Sequence, residues 1–152
     1  MQFLDYQILD ADNLLCCATE FTREGILKTL CKLNSYIAEF DVQKKANMYM
    51  IIPEKEAETI TMGISIDRGD PEIGKDFIFK NRIHLEQAIK TRHEGDLLEL
   101  GKGLQALIIY IKSLKLDPIT QFCCRILSRL DDNRDIENTI VDIYVGVNRN
   151  IL

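Results

Sequence analysis

The sequence predicts a single α+β domain in which helices pack around a central three-stranded antiparallel β-meander. The length of 152 residues suits one domain. Residues 96–114 form the longest amphipathic run, with apolar side chains at helical steps of three and four. Residues 59–66 alternate strictly between Ile or Met and smaller side chains, which is typical of a strand buried on one face. A mostly α-helical bundle with a small β flap is the alternative prediction.

The N-terminal part of the chain predicts two helices after a short edge strand. Residues 2–9 alternate between apolar and polar side chains, although the start of a helix would fit them as well. Residues 12–20 carry apolar side chains at helical spacing and predict the first helix. Thr22 is a typical N-cap, and the apolar stripe that follows it predicts a second helix that ends near Phe40.

The centre of the chain predicts the meander. Residues 48–52 have the composition of a strand and end at Pro53. A short charged link joins them to residues 59–66, so the two strands are expected to form a hairpin. Residues 67–75 are a cluster of Gly, Pro and Asp that is typical of turns. Residues 77–79 then supply the third strand.

The C-terminal half predicts further helices. Apolar stripes indicate helices over residues 82–92, 96–114 and 118–130. Residues 135–152 fit a helix and a strand equally well, and the capping residues at their start favour the helix. The sequence shows no internal repeat and no interdomain linker.

Two glycines, Gly101 and Gly103, are unusual inside a predicted helix, because together they cost about 2 kcal/mol relative to alanine. Their spacing around Lys102 does not match a phosphate-binding loop, which needs Ser or Thr where Gly103 stands and a strand before it. The pattern indicates a kink or the close approach of another element.

The charge balance argues against nucleic acid as a partner. The formal net charge is −5, whereas phosphate binding usually needs a basic patch. A local basic group at Lys80, Arg82, Lys90 and Arg92 keeps nucleic-acid association as a third hypothesis. The longest apolar run, residues 106–111, is far shorter than the roughly 20 residues of a membrane helix. Five cysteines without C-x-x-C spacing favour the reducing cytoplasm.

No motif for catalysis, metal binding or cofactor binding meets its spacing requirement. His84 and His93 are too far apart in sequence to share one helix face. The acidic residues of 67–76 lack the order of a calcium-binding loop. The cysteines mostly fall on apolar stripes, where they behave as small hydrophobic residues, and Cys124 is expected to be the most exposed. The sequence therefore predicts no catalytic, cofactor-binding or metal-binding residue.

These features predict a protein–protein interaction module without catalysis of its own, of the kind represented by small acidic cytoplasmic adaptors, chaperones, inhibitors and immunity proteins. The expected partner is another protein or a second copy in a homodimer. The predicted contact surfaces are the polar edge of the second strand and the acidic loop after it, with an apolar strip of the last helix as the alternative. The residues on the first two surfaces are Thr59, Thr61, Asp67, Arg68, Asp70 and Glu72. The alternative function is a small soluble enzyme whose carboxylate and histidine groups meet only in three dimensions.

Overall fold

Strands outweigh helices in the computed structural model of the chain, which describes residues 1–69 and 71–149 and all of their side chains except those of residues 44–46. Strands make up 46% of the residues and helices 27%. The elements in chain order are β1 (Phe3–Glu20), α1 (Arg23–Phe40), β2 (Lys44–Ile52), β3 (Thr59–Ile66), β4 (Ile78–Gly95), a 3₁₀ turn (Leu97–Glu99), α2 (Gly101–Ser113), β5 (Asp117–Pro118), β6 (Phe122–Ile126), α3 (Asn133–Glu137), β7 (Thr139–Val145) and β8 (Val147–Asn148). The predicted helical α+β class with a three-stranded meander is therefore wrong, and so is the alternative of a helical bundle.

Six strands form one antiparallel sheet in the order β1, β3, β2, β6, β7, β4, and the sheet closes because β1 also pairs with β4. β5 and β8 form a separate two-stranded pair. The chain runs twice through the same succession of a long strand, a helix and two shorter strands, first β1–α1–β2–β3 and then β4–α2–β6–β7. The opening strands of the two halves are both 18 residues long. This repeat is one of structure and is not visible as a repeat of sequence.

The helices cover the outer face of the closed sheet. α2 contributes Leu104, Leu107 and Ile111 to a large apolar core that also holds alternate residues of β2, β6 and β7. α1 divides its buried stripe between this core and a smaller cluster against β1 and β3. The main apolar core thus lies between the helices and one face of the sheet.

Several local predictions are confirmed. The Thr22 hydroxyl accepts a hydrogen bond from the Gly25 amide at 3.0 Å and begins α1 as expected. The strands β2 and β3 pair as the predicted antiparallel hairpin. α2 occupies most of the predicted helix 96–114. The first turn of that run is a separate 3₁₀ turn, whose Leu98 amide donates to the Asp96 carboxylate at 2.9 Å.

Two of the predicted helices are wrong because strands buried on both faces lose their alternation. Residues 12–20 belong to β1, and its side chains at positions 14–17 are all buried. Residues 118–130 contain β6, in which Phe122, Cys123 and Cys124 are consecutive buried residues. An apolar run of this kind fits helical spacing as well as it fits a strand.

The predicted helix 82–92 is wrong for a different reason. It lies in β4, which also contains residues 78 and 79 of the expected separate strand 77–79. Gln87 has a φ of 53°, and the register with β1 shifts beside it. This β-bulge inserts one residue, so that Leu85 and Ala88 point to the same side of the strand at a helical spacing of three.

The C-terminal run was also predicted wrongly. α3 ends at Glu137, and residues 139–145 form β7 rather than a helix, in keeping with their β-branched content. The part of the prediction that covers residues 150–152 lies outside the described residues.

The interpretation of the two glycines as a place of close approach is confirmed at one of them. A Cβ atom built on Gly103 would lie 2.9 Å from Cδ1 of Ile143 on β7. At Gly101 the nearest atom to such a Cβ is the Lys55 carbonyl oxygen at 3.7 Å, an ordinary contact distance. Gly103 therefore lets α2 pack closely on the sheet.

None of the helices among the described residues combines the length and the apolar character that a membrane span requires. The longest of those helices, α1, has 18 residues and is only moderately apolar, with charged side chains on its exposed side.

Candidate ligand-binding face

The face of the sheet turned away from the helices carries a second buried cluster, and every member of that cluster lies on a strand. Its members are Leu9, Ala11, Leu14, Cys16, Tyr49, Leu85, Ala88, Cys123 and Tyr144. We call the surface that they form the inner face. Side chains alternate between the two faces along a strand, so Met50 joins the helix-covered core while Tyr49 points inward.

The strand register aligns one row of side chains across all six strands of the closed sheet. From β1 to β4 the row reads Cys16, Gly63, Tyr49, Arg125, Asp142 and Arg92. The adjacent row includes Cys123, Tyr144 and Lys90. The first row runs from Cys16, which is fully buried, to Arg92, whose side chain is half-exposed.

Arg125 is the centre of this arrangement. The carbon of its guanidinium group lies 5.7 Å from the ring centroid of Tyr49 and 5.9 Å from that of Tyr144. Both distances are within the range of cation–π attraction. The Nε atom of Arg125 is buried and has no hydrogen-bond partner among the residues that the structure describes. Within the described part of the chain, no carboxylate forms an ion pair with Arg125 either.

Asp142 lies directly opposite Arg125 in the register, yet its carboxylate binds other cations. Arg92 donates from Nε to Oδ1 of Asp142 at 2.8 Å and from Nη2 to Oδ2 at 3.3 Å. Lys90 places Nζ 3.5 Å from Oδ2 of Asp142 and 5.7 Å from the centroid of the Tyr144 ring. Two cations, Arg92 and Lys90, thus share one buried carboxylate on this side of the sheet.

A cavity of about 220 Å³ opens beside the Asp142 end of the row. Its lining consists of Gln2, Leu4, Lys90, Thr91, Arg92 and Asp142. The cavity adjoins the rows of the inner face at Lys90, Arg92 and Asp142.

Burial sets the protonation of the inner-face groups. Desolvation raises the pKa of Tyr144, and the nearby Arg125 guanidinium opposes part of that rise. Burial likewise raises the pKa of the Cys16 and Cys123 thiols to about 11. These thiols are protonated at neutral pH and are poor nucleophiles.

The residues that were predicted to contact a partner lie apart in the structure. β3, which carries Thr59 and Thr61, lies between β1 and β2, so the sheet leaves no free edge at the centre of β3. Asp67 accepts from the Gln43 amide at 3.1 Å, and Arg68 donates to the Asp41 carbonyl at 3.2 Å. This loop therefore closes on the end of α1.

Other parts of the predicted contact surface are engaged or buried within the protein. The Glu72 carbonyl accepts from the Tyr36 hydroxyl at 2.5 Å. Asp70 lies outside the described residues. The last helix among the described residues has five residues, and its Ile136 is fully buried, so it presents no uncovered apolar strip. That Thr59, Thr61, Asp67, Arg68, Asp70 and Glu72 contact a partner stays a prediction.

The histidines do not come together. His84 lies on the exposed side of β4, 3.0 Å from Glu86 and 3.4 Å from Asp10, and the hydrogen bond to Glu86 is the main cause that raises the pKa of His84. His93 is buried, and its Nε2 lies 2.8 Å from the Asp96 carbonyl oxygen.

The predicted basic group is neutralised by neighbouring carboxylates at three of its four positions. Arg82 is bound by Asp10, while Lys90 and Arg92 are bound by Asp142. Among the cysteines, Cys31 is the exposed one and Cys124 is fully buried, the reverse of the expectation for Cys124.

Sequence reasoning missed Tyr49, Arg125 and Tyr144. They come from three different strands, and two of those strands were predicted as helices. The signal that was available is the alternation of Asp142 and Tyr144 with Val141, Ile143 and Val145, a polar and aromatic face opposite an aliphatic one.

No protein-family model matches the chain, and no curated protein matches it. Among solved structures, the C-terminal domain of EcmrR superposes with a TM-score of 0.71 at 10% identity, covering 99% of this chain and 100% of that domain. The EcmrR chain in a cryo-EM structure of the EcmrR–DNA complex in EcmrR-RPo gives 0.72 at 10% identity, covering 97% of this chain. This chain spans 58% of the length of that EcmrR chain.

A hydrolase from Listeria innocua superposes with a TM-score of 0.52 at 10% identity, covering 97% of this chain and 91% of that chain. At such identities the likenesses establish a shared fold. The adaptor or chaperone role expected from composition gains no support from this mostly β fold or from these neighbours, and we discard it. What the comparisons establish is that this chain has the fold of the C-terminal domain of EcmrR.

Proposed function

We propose that the protein is a ligand-binding module whose inner face takes up a small aromatic molecule, without catalysis of its own. The observation that carries this proposal is the position of Arg125 between the rings of Tyr49 and Tyr144, with a buried Nε that has no hydrogen-bond partner among the described residues. Ligand pockets in proteins typically combine aromatic walls with a few polar groups of this kind.

The fold itself does not need these polar groups. A buried donor without a partner costs roughly 1–3 kcal/mol, and an apolar side chain at position 125 would avoid that cost. The neighbours of Arg125 on β6, Cys124 and Ile126, point to the outer face and are apolar and buried. A buried polar group without a partner calls for an explanation, and the binding of a ligand supplies one.

The protonation of the cysteines and the positions of the histidines favour binding over catalysis. The Cys16 and Cys123 thiols are held protonated by burial. His84 is exposed on β4, and the ring of His93 contacts the Asp96 carbonyl oxygen, so neither histidine activates a thiol of the inner face. Hydrolysis is a property of the Listeria innocua protein and is not carried over.

A nucleic-acid partner is plausible as well, contrary to the expectation from net charge. The support is the likeness to EcmrR, a protein whose structure has been determined on DNA. The cations of β4 are largely paired with Asp10 and Asp142, so we expect this chain to contribute ligand binding more than phosphate contacts. Fluorescence anisotropy with a random DNA duplex at increasing salt tests this, and salt-sensitive binding by this chain would place the phosphate contacts here.

The proposed function is tested by fluorine NMR of the protein labelled with 3-fluorotyrosine. The chain has five tyrosines, which Tyr→Phe variants assign one at a time. We expect members of a library of small aromatic compounds to shift the Tyr49 and Tyr144 signals. Tyr110, which lies on α2 and stacks on Phe3 with ring centroids 4.3 Å apart, is the internal control and should not move.

Two results would contradict the proposal. One is a library in which no compound moves Tyr49 or Tyr144. The other is a set of shifts confined to Tyr36, which would place binding in the groove between α1 and the loop before β4.

A further inference from the structure

We propose that the ligand of the inner face is an anion, a small aromatic carboxylate held by Arg125. This refinement rests on the proposed function and names the chemical class of its ligand. The carboxylate is placed on the guanidinium group and the aromatic ring against Tyr49 or Tyr144.

The first support is the charge of the inner face. Lys90, Arg92 and Arg125 lie on or beside one buried carboxylate, that of Asp142. Lys80 is close enough to the Cys16 and Cys123 thiols to act on both through its charge. The inner face therefore has an excess of positive charge inside a protein whose overall charge is negative.

The second support is the way in which the one carboxylate is used. Asp142 faces Arg125 across the register between β6 and β7, where it would be the natural partner. Its Oδ1 instead accepts from Arg92, and its Oδ2 lies within reach of both Arg92 and Lys90. Arg125 is left as a cation without a counterion among the described residues, and the proposed ligand supplies the carboxylate that pairs with it.

The third support is the geometry of the guanidinium group. It is planar and presents five N–H donors in a fork that fits a carboxylate through two parallel hydrogen bonds. The rings on both sides of Arg125 lie less than 6 Å from its guanidinium carbon. A carboxylate attached directly to an aromatic ring would bring that ring against one of these tyrosines, where ring pairs attract each other by about 0.5–1.5 kcal/mol.

The same arrangement disfavours cationic ligands. A cation on the inner face would meet Arg125 and Lys90 before any free carboxylate, because Asp142 is already occupied. Juxtaposed like charges oppose binding and are a common source of specificity.

The inference is tested with three probes of nearly the same shape: benzoate, benzamide and benzamidinium. Dissociation constants are measured by calorimetry on the whole chain, and the site is read from the fluorine signals of Tyr49 and Tyr144. We expect benzoate to bind at least tenfold more tightly than benzamide, and benzamidinium to bind most weakly. Arg125→Gln should weaken benzoate binding at least tenfold while it leaves benzamide within twofold.

Lys102→Gln is the matched control, since it removes one cation from the outer surface of α2, where the Lys102 side chain is 77% exposed. It should leave all three dissociation constants unchanged. Arg125→Lys keeps the charge and loses the fork, and should bind benzoate with intermediate affinity. If Arg125→Gln fails to fold, the order of the three probes on the unmodified protein decides the question.

The outcomes separate this inference from the proposed function. Equal binding of the three probes with shifts at Tyr49 and Tyr144 overturns the anion inference and leaves the ligand-binding module intact. A preference for benzoate that survives Arg125→Gln overturns the assignment to Arg125. Absence of any shift with all three probes overturns the aromatic carboxylate, and a library that also moves neither tyrosine overturns the module itself.

Discussion

The two faces of the closed sheet are packed from different side chains. The outer face meets α1 and α2 through Leu, Ile, Val and Met, and its core is closed. The inner face packs against none of the helices in the described part of the chain, and it combines aliphatic residues with two tyrosines, two cysteines and an arginine at its centre. The outer face is almost wholly apolar, whereas the inner face combines apolar side chains with polar and charged ones.

The largest expected effect is the loss of packing on the outer face. Leu107 is fully buried in the helix-covered core. Leu107→Ala should lower the free energy of unfolding by about 3 kcal/mol, because it removes buried carbon atoms and leaves a cavity. Urea denaturation measures this. Tyr144→Phe on the inner face should change the same quantity by less than about 0.5 kcal/mol, since the Tyr144 hydroxyl forms no hydrogen bond among the described residues.

A loss below about 1 kcal/mol for Leu107→Ala, or an equal loss for the two variants, would show that the outer face is not the dominant source of stability.

The second effect has the opposite sign and lies on the inner face. Arg125→Met should raise the free energy of unfolding by about 1 kcal/mol, because methionine fills similar space without a buried donor that lacks a partner. Arg92→Met is the control. It removes an arginine that does have a partner, Asp142, and should give no gain.

Thermal and urea unfolding of the two variants provide the measurement. If Arg125→Met lowers the free energy of unfolding, Arg125 contributes to the stability of the core. The two faces of the sheet would then not differ in the way proposed.

The third effect separates two glycines on one helix of the outer face. Gly101→Ala should stabilise the protein by up to about 1 kcal/mol, since alanine favours the helix and meets nothing closer than 3.7 Å. Gly103→Ala gains the same helical preference but forces Cδ1 of the fully buried Ile143 to move from 2.9 Å. It should therefore be the less stable of the two variants.

Differential scanning calorimetry of both variants gives the comparison directly. Equal gains at the two positions would show that α2 does not press on β7 at Gly103.

The smallest effect is a titration on the inner face. Burial raises the pKa of Tyr144, so its contribution to stability is fully present below the tyrosine pKa of the unfolded chain and is lost as pH rises through the higher value of the folded protein. The tyrosinate absorbance of the wild type minus that of Tyr144→Phe isolates this group. Arg125→Met should raise the pKa of Tyr144 further, because the guanidinium opposes the rise.

An ordinary or lowered pKa for Tyr144 would place its hydroxyl in water and open the inner face to solvent.

Two parts of the fold could be predicted from the sequence. They are α1, which begins at a good N-cap, and the β2–β3 hairpin. α1 has Thr22 to begin it and one clear apolar stripe, and β3 has strict alternation over eight residues. Each of these signals is local, so no knowledge of the rest of the fold is needed to recognise it.

The long strands could not be predicted, because their patterns depend on partners far away in sequence. Leu14 and Leu15 are both buried, since one faces inward and the other faces α1 and β3. The bulge at Gln87 gives β4 a helical spacing of apolar residues. The candidate site was missed for the same reason, since Arg125 acquires its neighbours only when β6 pairs with β2 and β7.

The closure of the sheet has a consequence for how the halves of the chain relate to each other. The strand pairings between the halves are the antiparallel pairs β1–β4 and β2–β6. Antiparallel pairs are the kind that two copies of one chain form about a two-fold axis. The two halves of this single polypeptide are thus arranged like the two subunits of a dimer. A fragment ending after β3 would carry two unpaired strand edges, and it should either self-associate or aggregate when produced alone.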